Sequence, residues 1–212
     1  MRISVLGATG RTGRQIVEQA LEAGHEVVAF ARNPDALETS HERLTAVQGD
    51  ILDAERVSEA VAGANAVISV VGPTRDSSEA MLTRGMANVV AAMKEHGVRR
   101  LVMLTGAGVR LESDPPSLGR SVMLGLLGLF APGALRDAQG AVEVVRASGL
   151  DWTVVRVPRL SDGPKTGRVR GGNTPPGPQH AVSRADAAAF ALEQLTDERY
   201  VQRAPMVATA GR

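Results

Sequence analysis

Residues 3 to 13 read Ile3-Ser4-Val5-Leu6-Gly7-Ala8-Thr9-Gly10-Arg11-Thr12-Gly13, an apolar run closed by glycines spaced G-x-x-G-x-x-G. That order fits a strand that turns sharply and opens a helix. Gly7 permits the tight turn, Gly10 lets a ligand approach the main chain, and Gly13 lets helix and strand pack closely. The helix predicted over about Arg11 to Ala23 carries Ile16, Val17, Ala20 and Leu21 on one face and stops at Gly24. Such a turn presents backbone N–H groups and the positive end of a helix dipole to an anion, above all a dinucleotide pyrophosphate. Thr9, Arg11 and Thr12 are placed to add side-chain contacts to phosphate.

The rest of the chain repeats the alternation. Strands are predicted at Glu26 to Ala31, Leu44 to Gln48, Ala66 to Val71, Arg100 to Thr105, Trp152 to Val157 and Pro205 to Thr209. Helices are predicted from the Asp53 cap to Val61, then over Ser78 to His96, Leu135 to Ala147 and Ala185 to Leu195. Alternating strands and helices imply an α/β chain with a doubly wound, mostly parallel sheet. The 212 residues suit a single domain, 1–212. Two stretches break the rhythm: 110–134, with Asp114-Pro115-Pro116 and the apolar run Val122 to Phe130, and 158–182, rich in proline and glycine and read as mostly loop. Both follow strands on the side of the sheet where open α/β folds bind ligands, so both are expected to form a small substrate-side lobe. The run from Val122 to Phe130 suits a pocket wall, a dimer contact or plain core.

The second strand ends Phe30-Ala31-Arg32-Asn33, with no acidic residue before Asp35. A carboxylate there would meet a ribose 2′-hydroxyl, whereas a guanidinium pairs with a 2′-phosphate, so Arg32 points to NADP(H). Otherwise Arg32 is a solvated surface arginine. Arg11 is the candidate for the other half of a phosphate clamp. Gly49-Asp50-Ile51-Leu52-Asp53 follows the third strand and lies where an adenine would rest. Asp50 is the candidate acceptor for its amino group and Ile51 the candidate surface for its ring, against a loop aspartate beside a helix cap.

Composition closes several alternatives. With no cysteine, the chain has no disulfide, thiolate nucleophile or cysteine-held metal. A net charge of +1 argues against a nucleic-acid binder. His25, His41, His96 and His180 are scattered without metal-ligand spacing. No apolar run is long enough to span a bilayer, and the chain opens on a strand rather than a leader pattern, so a soluble cytoplasmic protein with no membrane partner is expected.

Gly7-Ala8-Thr9-Gly10-Arg11-Thr12-Gly13, Ala31-Arg32-Asn33-Pro34, Gly49-Asp50-Ile51-Leu52-Asp53, Ser148-Gly149-Leu150-Asp151-Trp152-Thr153-Val154-Val155-Arg156 and Ser183-Arg184-Ala185-Asp186 occur in that order. Together they resemble the atypical (NmrA-like) short-chain dehydrogenase/reductases, closest to the NAD(P)H-binding group that includes the flavin reductase/biliverdin reductase B type. The resemblance covers nearly the whole chain. It implies a seven-stranded Rossmann sheet with NADP across its top edge. It also implies that Val71-Gly72-Pro73 and Thr105-Gly106-Ala107 border the ribose and nicotinamide, with Val157-Pro158-Arg159-Leu160 near the carboxamide.

Most short-chain dehydrogenases pass a proton from the tyrosine of a Tyr-x-x-x-Lys pair on a helix. This chain has one tyrosine, Tyr200, with Ala204 four residues later, so the pair does not exist. Its family positions fall on Leu135 and Gln139. The flavin/biliverdin reductase type manages with a serine and a histidine, whose positions here fall on Gly106 and Arg159, which argues against a biliverdin substrate. A flavin or quinone stacked on nicotinamide accepts hydride readily, and water supplies the proton, so the protein need only position the pair. Thr105 and Arg159 are the candidate catalytic contacts, against a strand-end hydroxyl bonded to backbone and an exposed loop arginine. Asp114 and Asp162 border the expected cleft, and Arg156 is expected to hold the local fold. The expected function is an NADPH-dependent reductase of a flavin, quinone or similar planar small molecule, acting as a monomer or homodimer. The alternative is a non-catalytic NADP(H)-binding redox sensor that engages a protein partner.

Overall fold

The computed structural model describes residues 1–73, 78–111, 114, 132–172 and 181–209. In chain order these give β1 (Arg2–Leu6), α1 (Arg11–Glu22), β2 (Glu26–Ala31), β3 (Leu44–Gln48), α2 (Ala54–Val61), β4 (Ala66–Ser69) and α3 (Met81–Glu95). Then come β5 (Arg100–Gly106), α4 (Pro132–Arg146), β6 (Asp151–Val157), β7 (Arg159–Ser161), β8 (Val169–Gly172), β9 (Ala181–Ser183), α5 (Arg184–Glu193) and β10 (Met206–Thr209).

One sheet runs in the order β3-β2-β1-β4-β5-β6-β10-β8, with every neighbouring pair parallel except β10 and β8. Side chains alternate across it, as a period of two requires. Along β1 and β2, Ile3, Val5, Val27 and Ala29 face a core shared with α1 and α5. Leu6, Val28 and Phe30 face the opposite core, shared with α2, α3 and α4. Burial on both faces explains why β4 reads as a run of mostly apolar residues without alternation.

Two departures from the sequence reading lie after β6, in the stretch read as mostly loop. β8 adds an eighth strand to the seven that the resemblance implies, antiparallel to β10. Its glycines mark a close approach: a Cβ on Gly171 would lie 2.9 Å from the Phe190 ring and 3.0 Å from the Tyr200 ring. The Tyr200 hydroxyl donates to the Gly171 carbonyl at 2.9 Å. Tertiary contact with two aromatic rings thus selects glycine in a strand that propensity disfavours. β7 and β9 form a separate two-stranded parallel sheet. The runs Val122 to Phe130 and 173–180, including His180, lie outside the described residues.

α3 begins at Met81, three residues later than the pattern suggests. Its N-terminus is capped from another helix. Asp137 of α4 accepts from Leu82 N and Thr83 N at 2.8 Å each, and from Thr83 Oγ1 at 2.8 Å. A carboxylate serves here as acceptor for the first turn and as a charge suited to the helix dipole. Replacing Asp137 by Ala is expected to lower unfolding stability by about 2 kcal/mol, read by urea titration. A loss below about 0.5 kcal/mol would show that the cap contributes nothing.

Candidate functional site

Strands β2, β1, β4, β5 and β6 all end on one edge of the sheet, at Ala31, Leu6, Ser69, Gly106 and Val157. The chain leaves β1 for β2 on one side and resumes at β4 on the other. The strand order therefore reverses beside β1, and open α/β sheets hold ligands in the crevice outside such a point.

The glycine turn occupies that point. Gly7 has φ +83°, and its N–H and that of Ala8 both donate to the Phe30 carbonyl, at 3.0 and 3.3 Å. A Cβ on Gly13 would fall 2.2 Å from the Gly7 carbonyl oxygen and 2.7 Å from that of Ala8, so only glycine lets α1 start this close to β1. The first helical hydrogen bond runs from Arg14 N to Gly10 O at 2.9 Å. Gly10 caps the helix without a side chain, and its first turn holds no acidic residue. The N–H groups of Arg11, Thr12 and Gly13 therefore have no acceptor among the described residues. Three unpaired donors at the positive end of a helix dipole fit a phosphate group. Neither the Thr9 nor the Thr12 hydroxyl makes a hydrogen bond among the described residues.

The cations around the turn point in different directions. Arg11 reaches Asp162, at 3.3 Å, in the loop after β7, and Asp162 also pairs with Arg184. Arg14 donates from Nε to the Thr9 carbonyl at 3.2 Å and lies 3.5 Å from Glu38. Arg32 is exposed and its guanidinium has no partner among the described residues. Arg11 thus engages the loop after β7 rather than the end of β2. The arginine of α1 that meets the segment after β2 is Arg14, which the sequence reading left unassigned.

In the loop after β3, Asp50 is exposed and accepts from Leu52 N at 2.9 Å, so one carboxylate oxygen is engaged locally. Ile51 is only 5% exposed and packs against Gly85 of α3, leaving only its outer edge for a ring. Asn88 holds its carbonyl at 3.0 Å.

At the far end of the crevice, Val71 and Gly72 leave β4 beside the turn; a Cβ on Gly7 would lie 3.1 Å from Val71 N. Thr105 is half-buried, and its hydroxyl makes no hydrogen bond among the described residues, contrary to a backbone-bonded strand end. Gly106 is exposed, and Ala107 N bonds to Val157 O at 2.8 Å, which joins the ends of β5 and β6. Pro158 follows half-buried. Arg159 is exposed and opens β7 rather than sitting in a loop.

Two polar anchors shape the segment after β5. Arg156 is 1% exposed and grips Asp114 through two nitrogens, at 2.6 and 2.7 Å, as well as the Ala204 carbonyl at 2.9 Å. Arg156 accordingly holds the local fold, and Asp114 is tied to it. Gln139 makes a two-way amide contact with the Arg110 main chain, accepting from N and donating to O at 3.0 Å each. The position that resembles a catalytic lysine is thus a clamp, and Leu135 is half-buried beside it. Tyr200 lies near the opposite end of β6, its carbonyl bonded to Thr153. Among the described residues, no cluster of histidines and carboxylates could hold a metal ion, and no helix is long and apolar enough to cross a membrane.

A family model described as NAD(P)H-binding matches residues 7–198, from the glycine turn to beyond α5. The chain belongs to this NAD(P)H-binding family. Cinnamoyl-CoA reductase 1 of Petunia hybrida is 29% identical over 184 residues, which are 76% of this chain and 55% of that protein. The chain therefore spans about half the length of this curated relative. Among solved structures, an anaerobillin reductase from Escherichia coli O157:H7 superposes with a TM-score of 0.82 at 22% identity, covering 100% of this chain and 98% of that one. An oxidoreductase from Lactococcus lactis superposes with a TM-score of 0.80 at 17% identity, covering 99% and 91%. At these identities the likeness is one of fold. Family membership makes a nicotinamide dinucleotide the expected occupant of the crevice.

The loop after β7 is anchored on its other side by Asp186 of α5. This carboxylate, 1% exposed, accepts from Thr166 N and Oγ1 at 2.8 Å and from Gly167 N at 2.9 Å. Burial alone would raise its pKa, but those hydrogen bonds and one from Ser183 together hold it below the ordinary carboxylate value. A carboxylate with a depressed folded pKa stabilises the fold above its unfolded pKa of about 3.9 and loses that contribution as pH falls through the lower folded value. Asp186→Asn is therefore expected to cost about 1–3 kcal/mol at pH 7, with the gap to wild type closing below about pH 4. A gap independent of pH in urea titrations would contradict this.

Proposed function

We propose that the chain is an NADPH-dependent reductase that transfers hydride to a flavin, quinone or similar small planar acceptor. In this reading residues 1–212 form one dinucleotide-binding domain, with 110–134 and 158–182 on the substrate side. It acts in the cytoplasm as a monomer or homodimer, without nucleic-acid or membrane partners. The bare N–H groups of Arg11, Thr12 and Gly13, with Gly7, Gly10, Thr9 and the Thr12 hydroxyl, hold the pyrophosphate. Arg32 meets the 2′-phosphate, and Asp50 and the edge of Ile51 meet the adenine. Val71, Gly72, Thr105, Gly106 and Pro158 border the nicotinamide ribose and ring, and Thr105 and Arg159 contact the acceptor.

NADPH, when bound, would supply the hydride, and the reduced acceptor would take its proton from water. The observation that carries the planar-acceptor reading is the state of α4. The positions that resemble the tyrosine and lysine of the proton-donating pair hold Leu135, which cannot ionise, and Gln139, whose amide is spent on Arg110. Carbonyl reduction to an alcohol needs an acid beside the developing alkoxide, whereas a delocalised flavin or quinone anion does not. The petunia and Escherichia coli relatives are named as reductases, in keeping with this direction of transfer.

Mixing the purified protein with NADPH and FMN, menadione or a related acceptor should give loss of NADPH absorbance well above the uncatalysed background. No turnover across such a panel overturns the reductase reading, and unequal affinities for NADP+ and NADPH would then favour the sensor. Arg32→Glu is expected to reduce the preference for NADPH over NADH by about tenfold or more, and an unchanged ratio would remove Arg32 from the 2′-phosphate site.

A further inference from the structure

The glycine turn and the end of β2 are joined through one carbonyl. Gly7 N and Ala8 N both donate to Phe30 O, so Thr9, the next residue, stands beside the chain that continues into Arg32. Arg14 Nε is fixed on the Thr9 carbonyl at 3.2 Å. Its Nη1 lies 3.5 Å from Glu38 Oε1, and Glu38 stands six residues past Arg32 on the segment leaving β2. The Arg14 guanidinium is therefore held between the turn and the segment that carries Arg32. Arg11, by contrast, reaches the loop after β7.

We propose that Arg14 is a second specificity-determining cation for the 2′-phosphate of NADPH, and that Glu38 is its exchangeable counter-ion. The inference rests on the NADP reading of Arg32 and adds two residues to it. Glu38 is 88% exposed and its contact with Arg14 is long, so the pair is loose and contributes little to folding. A phosphate dianion carries more charge than a carboxylate and has three acceptor oxygens, so it displaces Glu38 from the guanidinium. The Arg14 stem stays in place because its Nε remains on Thr9. The displaced Glu38 carboxylate stays close to the incoming dianion and opposes it. With a 2′-hydroxyl in place of the phosphate, the Arg14–Glu38 pair is undisturbed. Glu38 therefore weakens the phosphorylated cofactor selectively, and Arg14 strengthens it selectively.

The test uses adenosine 2′,5′-bisphosphate and 5′-AMP as probes of the adenosine end, titrated by calorimetry into wild type, Arg32→Ala, Arg14→Gln, Arg14→Lys and Glu38→Gln. Arg14→Gln is expected to weaken the bisphosphate about tenfold and 5′-AMP less than about twofold, with Arg14→Lys recovering part of the loss. Glu38→Gln, at an exposed position that folding does not need, is expected to tighten the bisphosphate about threefold and leave 5′-AMP unchanged. Equal weakening of both probes by Arg14→Gln would make Arg14 a brace for the turn and overturn the proposal. So would a Glu38→Gln protein that binds both probes like wild type. If Arg32→Ala removes the preference for the bisphosphate while the Arg14 and Glu38 variants keep it, the NADP reading stands and this inference falls. If wild type shows no preference for the bisphosphate, both fall.

Discussion

The contact between Gly13 and the carbonyls of Gly7 and Ala8 sets the rest of the site. It brings the start of α1 so near the end of β1 that no Cβ fits between them. Gly10 caps that helix with no side chain. Three N–H groups at a helix N-terminus then face the crevice without an acceptor among the described residues. In an ordinary helix a serine, threonine or aspartate would fill that role, as Asp53 does for α2 and Ser183 for α5. The turn of α1 gives up that local stabilisation and keeps its donors open for a ligand. Parallel strands on both sides and two apolar cores hold the turn in place.

The polar residues around the crevice are mostly committed to holding loops. Arg156 and Asp114 form a buried pair that fastens the chain after β5 to β6, and removing Asp114 would strip a buried guanidinium of the carboxylate it grips. Gln139 fastens the same chain to α4, Asp137 fastens α4 to α3, and Asp186 fastens the loop after β7 to α5. These bonds use groups that elsewhere serve as acids, bases or proton relays. Among the described residues, what remains open toward the crevice includes the Thr9, Thr12 and Thr105 hydroxyls, the exposed Arg159 and Arg32, and main-chain donors. That inventory suits orientation and charge recognition, which is what the proposed reduction asks of the protein.

The glycine spacing and the alternation of strands and helices were legible in the sequence because both follow from local rules: backbone freedom at Gly7, and side-chain period along strands and helices. The mostly parallel sheet and the commitment of Arg156 agree with that reading. What local rules did not reveal depended on partners distant in sequence. β8 reads as a glycine-rich loop until Phe190 and Tyr200 are seen against Gly171. The start of α3 is set by Asp137, more than fifty residues away. Arg11 and Arg14 are chemically alike and one helical turn apart, so only their contacts with Asp162 and Glu38 separate them. Ile51 looks available to a ring until α3 is placed against it.

The open N-terminus of α1 is the proposed seat of the dinucleotide. Titration of isotopically labelled protein with NADPH, followed by amide chemical shifts, tests it residue by residue and needs no variant. A groove of about 580 Å³ between α1, the loop after β7 and the start of α5, lined by Arg11, Arg14, Gln15, Gln19, Lys165 and Arg184, provides a competing location on the same helix, so Thr12 and Gly13 discriminate most sharply. Binding at the helix N-terminus gives the largest shifts at the amides of Arg11, Thr12 and Gly13. Shifts concentrated at Gln15, Gln19 and Lys165, with those three amides unmoved, would contradict it.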